Sequence, residues 1–71
     1  MAESVTAPMV GKVLHVQCKA GDKVEENQVI LVLEAMKMEI PVVAPAAGTI
    51  KEVKVSPGDT VESDTVLVII E

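Results

Sequence analysis

The run Glu34-Ala35-Met36-Lys37-Met38-Glu39 places one lysine between two methionines and two glutamates. The chemistry open to such an amine is acylation. Only the neutral form attacks an acyl group, and an exposed lysine side chain, titrating near 10.4, is almost wholly protonated at pH 7. The sequence offers no evident base beside it. Were this amine acylated, its activation would have to come from another protein, with the lysine as substrate and not catalyst. His15 and Cys18 are the other residues with reactive side chains. They do not complete a serine–histidine–carboxylate set, and a metal site needs more soft ligands than these two. No catalytic residue and no metal ligand is expected.

The elements that must position Lys37 come from a repeat. Residues 5–34, VTAPMVGKVLHVQCKAGDKVEENQVILVLE, align without a gap on residues 42–71, VVAPAAGTIKEVKVSPGDTVESDTVLVIIE, at an offset of 37. Identical pairs include Pro8/Pro45, Gly11/Gly48, Gly21/Gly58, Asp22/Asp59 and Glu34/Glu71. Two copies are too few for a solenoid; two halves that bury each other about a pseudo-twofold axis fit better. Cys18 aligns with Val55, which assigns it an apolar slot, and His15 aligns with Glu52, which assigns it to the surface. Apart from the termini, only Ala35-Met36-Lys37-Met38-Glu39-Ile40-Pro41 falls outside the repeat.

Each half reads as β. Val and Ile dominate the apolar runs, and Gly-Asp and Pro-x-x-Gly segments punctuate them. Strands are expected near 4–7, 11–17, 23–25 and 28–34, then 39–44, 48–55, 60–62 and 65–71. The continuously apolar runs Val29–Leu33 and Val66–Ile70 suit strands covered on both faces, and Pro41 suits an edge strand. Eight such strands make an all-β sandwich or flattened barrel. The insert then has to be a tight turn centred on Met36 and Lys37. Its chemistry is wrong for structure alone: tight hairpins want positive φ, ordinarily supplied by Gly, Asn or Asp. It also sets Glu34 against Glu39, a mildly unfavourable pair. A lysine at a hairpin tip is ordinarily just solvated, but local rules tend to be broken at functional sites, and exposed methionines suit adaptable binding surfaces.

Composition narrows the classes. The 71 residues carry a formal net charge of −5 and no arginine. Nucleic-acid binding, which needs a basic patch, is not expected, nor is membrane insertion, since no apolar run nears the roughly 20 residues of a span. Met1-Ala2-Glu3-Ser4 lacks the basic and apolar parts of a signal peptide. A single cysteine fits a reducing compartment, and a cytoplasmic location is expected. One domain over residues 1–71 is expected. Its core must be aliphatic, because the chain has no Phe, Tyr or Trp.

Glu34-Ala35-Met36-Lys37-Met38 resembles the E-A-M-K-M signature of biotinyl domains, the biotin carboxyl carrier family. The likeness extends over the repeated Ala-Pro-x-x-Gly and Gly-Asp elements on either side. It implies a flattened β-barrel, or barrel-sandwich hybrid, of two four-stranded antiparallel sheets with internal pseudo-twofold symmetry. It also implies covalent biotin on Lys37, with Ala35, Met36 and Met38 serving the attached cofactor, and Glu34 recognised by a biotin protein ligase. The biotin would then shuttle a carboxyl group between a biotin carboxylase and a carboxyltransferase or decarboxylase component. The ungapped halves leave no room for the inserted "thumb" of some acetyl-CoA carboxylase carriers. The chain thus looks more like carriers of decarboxylases, transcarboxylases or multidomain carboxylases. A lipoyl carrier shares the fold, but lipoyl tips read Asp-Lys-Ala or similar. An unmodified interaction module is the rival from another class.

Overall fold

A computed structural model describes residues 2–71. The chain forms β1 (Glu3–Thr6), β2 (Gly11–Val16), β3 (Lys23–Val24), β4 (Val29–Ala35), β5 (Met38–Val43), β6 (Gly48–Val53), β7 (Thr60–Val61) and β8 (Val66–Ile70). No helix occurs among the described residues, so none is long and apolar enough to cross a membrane. All eight strands fall where the apolar runs place them, with no end displaced by more than two residues.

The strands make two antiparallel four-stranded sheets, in the orders β1-β8-β6-β3 and β5-β4-β2-β7. Raising each residue number in the first sheet's order by 37, with wrap-around, turns it into the second. Each sheet therefore draws strands from both halves, and the halves interlock. The hydrogen bonds repeat with the same offset: Gly21 N–H to Ile50 C=O is matched by Gly58 N–H to Val13 C=O, both at 2.8 Å. The left-handed residues repeat as well, Gly21 with Gly58 at φ 96° and Asn27 with Asp64 at φ 70° and 71°. The strand ladders remain two sheets and do not join into one continuous ring. Pro41 lies in β5, an edge strand, where its missing N–H costs no ladder bond to an outer neighbour.

Between the sheets lies an aliphatic core in which Ile30, Leu31, Leu33, Ile50 and Leu67 have essentially no exposure. The unbroken apolar runs of β4 and β8 are explained by bulges and not by cover on both faces. Val29 pairs with Val43 but Leu31 with Val42, so Ile30 is an extra residue; Leu67 is its counterpart in β8. A bulge lets two consecutive side chains turn inward: Ile30 and Leu31 are both buried, as are Leu67 and Val68. The next residues out, Val32 and Ile69, are only half-buried. Cys18 packs against the core, as does its repeat mate Val55, and His15 is exposed like Glu52.

The chain changes sheet at every connection but one. Among the described residues, β4–β5 is the one pair of sequential strands that also lie side by side. This hairpin carries the insert. Its tip and the Glu3–Ile70 end of the β1–β8 pair lie at opposite ends of the molecule, whose longest extent is 32 Å. The geometry follows from the ladders: β2 starts beside the tip, where Lys12 pairs with Glu34. The segment beyond its far end, at Gly21 and Asp22, bonds to Ile50, which pairs with Ile70 of β8.

Candidate functional site

The hairpin closes through two residues. Ala35 pairs with Met38, and Glu34 pairs with Glu39. Met36 and Lys37 are the central residues, with φ of 53° and 64°. Positive φ at both is the type I′ pattern, whose twist matches that of the flanking strands. An L residue with a Cβ enters this region at roughly 1–2 kcal/mol. The turn thus carries two such residues where Asn-Gly would be relaxed.

The five signature residues are brought together by this one turn, and of them only Ala35 is buried. Ala35 is buried and anchors the end of β4. Glu34 and Glu39 are exposed. Lys37 is exposed and takes no part in the ion pairs found among the described residues, Lys19–Asp22, Lys51–Glu71 and Lys54–Glu52. Met36 is 79% exposed and Met38 55%, against the usual burial of large apolar side chains. The turn accordingly presents an amine with a thioether on either side, on a support that two paired strands hold rigid.

Gly11 braces that support. A Cβ placed on it would lie 2.8 Å from the carbonyl oxygen of Glu34 and 3.4 Å from the Cβ of Ala35. The first residue of β2 is therefore pressed against the last two of β4, and only a residue without a side chain allows this. Next to it, Lys12 stands across from Glu34 in one exposed rung, Thr60–Lys12–Glu34–Glu39. Lys12 offsets part of the repulsion between the two carboxylates. Sequence reasoning missed both residues, since their place at the tip depends on how β2 pairs.

Elsewhere, burial pushes the Cys18 thiol above its ordinary range, and the charge of Asp22 adds to the effect. This is the reverse of what an activated cysteine needs. A groove of about 360 Å³ runs between the edge strands β1 and β5. It is lined by repeat mates, among them Val5 with Val42 and Pro8 with Pro45, and takes in none of residues 34–38.

The site is thus one lysine presented on one exposed hairpin of an all-β sandwich. Residues 3–70 match the family described as "Biotin-requiring enzyme", and the chain belongs to it; its cofactor is biotin. The gamma subunit of methylmalonyl-CoA decarboxylase from Propionigenium modestum is 61% identical over 36 residues, which span 51% of this chain and 27% of that subunit. Biotinylated protein TB7.3 of Mycobacterium tuberculosis is 49% identical over 43 residues, 61% of each chain. The chain thus covers less than two thirds of these relatives. In structure it is similar to the urea carboxylase of Kluyveromyces lactis, with a TM-score of 0.94 and 28% identity over the whole of this chain and 6% of that one.

The tip suits a covalently held group. An amide needs one accessible amine with room around it, and the exposed turn supplies that. Ala35 and Gly11 hold the strand ends, and Met36 and Met38 flank the amine.

Proposed function

We propose that Lys37 is the amine to which biotin is joined, and that the domain carries a carboxyl group between partner active sites. The observation that bears the most weight is the turn itself. It is the one segment between the repeated halves that the repeat does not supply, it holds two residues in the left-handed region, and it leaves its large apolar side chains in water. These features oppose stability and suit presentation.

Attachment needs an activated biotinyl ester in the active site of a biotin protein ligase. Lys37 Nζ, having given a proton to a base there, attacks the ester carbonyl. The C–N amide bond forms, the C–O bond to the leaving group breaks, and the amine's second proton departs. Glu34, exposed one residue before the turn, is assigned to ligase docking. Once bound, biotin supplies a ring nitrogen that holds a carboxyl group. The chain's own residues extend it: the lysine stem is a flexible arm, and the rigid hairpin fixes its base. Tethering replaces a bimolecular encounter by a high effective concentration at each partner. The partners are the biotin carboxylase and the carboxyltransferase or decarboxylase components of a biotin-dependent carboxylase, decarboxylase or transcarboxylase. The names of the similar decarboxylase subunit and of the urea carboxylase support this range. We place the domain in the cytoplasm, where its half-buried thiol stays reduced.

Co-expression with a biotin ligase, followed by a streptavidin blot and intact mass, tests the assignment. Wild type should gain one biotinyl group and Lys37→Arg none. Equal labelling of both would refute the site. A lipoyl mass increment in cells supplied with both cofactors would identify a lipoyl carrier, and an unmodified chain beside active ligase would identify an interaction module.

A further inference from the structure

The sandwich holds one pair of strands in two ways. At the tip, β4 and β5 are joined by the turn. Away from it their repeat mates, β8 and β1, pair with no turn between them, although they stand at opposite ends of the sequence. The register is the same. Shifted by 37, Leu33–Ile40 becomes Ile70–Glu3, and Leu31–Val42 becomes Val68–Val5. A covalent link is therefore not what makes these strands pair. The halves are clasped by bonds that run between them: Gly21 N–H to Ile50 C=O, Asn27 N–H to Ala44 C=O and Ala7 N–H to Thr65 C=O, at 2.8, 2.8 and 2.9 Å.

The link that remains is a strained one. Met36 and Lys37 are both left-handed, at φ 53° and 64°, and Met36 gains little packing there, being 79% exposed. A short hinge under strain between two interlocking halves is the arrangement from which copies of a chain exchange halves. Residues 2–35 of one copy then take residues 38–71 of the other, and the reverse, so every strand pair and the whole core are rebuilt. The turn straightens, and β4 runs on into β5. Counting onward from Glu34–Glu39 and Ala35–Met38 sets Met36 of each copy across from Lys37 of the other. Four left-handed positions return to extended backbone, and the ladder gains two rungs. Against this stands the freedom lost when two chains become one particle, so the balance moves with concentration.

We infer that the turn is a hinge through which the chain exchanges halves with a second copy of itself, forming a dimer in which Lys37 is withdrawn from the tip. Its lysines lie in the connection between two lobes and not at the free end of one. Resting on the reading of Lys37 as the amine that takes biotin, the dimer is a form closed to loading and the monomer is the form that carries.

The test refolds wild type from urea at about 10 µM and about 1 mM and sizes the products by light scattering. The dilute sample should be monomer. The concentrated one should contain a species of twice the chain's 7.5 kDa, which persists on dilution because its return requires the halves to part. Limited cleavage after Lys37 separates exchange from association of intact faces: the exchanged dimer should fall into two nicked units of monomer size. Deleting Met36 and Lys37 joins Ala35 to Met38 and keeps the alternation of faces, so this variant should be a dimer at every concentration with wild-type circular dichroism. Met36→Asn with Lys37→Gly relaxes the turn and should lower the association constant at least about tenfold. A deletion variant that folds as a monomer, wild type that stays monomeric in the concentrated sample, or a dimer that survives cleavage overturns the exchange. Given a purified ligase, biotin and ATP, the monomer should be labelled and the dimer should not. Equal labelling overturns the withdrawal of Lys37 and leaves the exchange standing. A monomer that takes no label overturns the attachment site, again without touching the exchange.

Discussion

Replacing the tip by the relaxed turn sequence, Met36→Asn with Lys37→Gly, should make the domain more stable while abolishing its modification. The gain can be worked from the backbone. Both positions are left-handed, at φ 53° and 64°, and each non-glycine residue there costs roughly 1–2 kcal/mol. Glycine removes the cost at its position but loses about 0.5–1 kcal/mol of chain entropy on folding. Asparagine tolerates the region better than methionine and recovers part of the cost at its own. Met36 is 79% exposed, so little packing goes with it. The net gain is about 1 kcal/mol. In a domain of this size that raises Tm by about 4–8 °C. Calorimetry measures the shift, and a raised urea midpoint at an unchanged m value shows that stability itself has changed. A Tm equal to or below wild type would refute the claim that the turn is held in an unfavourable conformation for the sake of its side chains.

Gly11→Ala should destabilise the domain by about 1–3 kcal/mol, because the new methyl meets the Glu34 carbonyl at 2.8 Å; a fall in the urea midpoint checks this. Cys18 should react slowly with a maleimide at pH 8 in the folded protein and faster once unfolded, since burial raises its folded pKa above the ordinary 9.0. The sign for stability follows. The buried neutral thiol contributes stability that is fully present below 9.0 and is lost as pH rises through the folded value. Cys18→Val should therefore flatten the alkaline arm of the stability profile, which unfolding midpoints between pH 7 and 10 will show.

The strands were legible because their signals are local: Val/Ile runs, Gly-Asp turns, and a repeat that marks equivalent positions. The tip was legible for the opposite reason, as the place where the turn chemistry goes against the local rules. What could not be read depends on partners distant in sequence. The bulges at Ile30 and Leu67 exist only in relation to β5 and β1, so an unbroken apolar run looked like a strand covered on both sides. The repeat marks Gly11 and Gly48 as equivalent, but not that β2 lies against β4 and presses Gly11 onto the carbonyl of Glu34.

The pairing of Glu3 with Ile70 brings the way into the fold and the way out of it together, at the pole away from Lys37. A longer polypeptide joined at either point, or at both, would hold the domain from behind like a lamp on a stalk. Any swivel at that mount would move the tip through an arc whose radius approaches the 32 Å length of the body. The sandwich itself would then lengthen the arm, and stations farther apart than lysine and its cargo could span alone would come within its sweep.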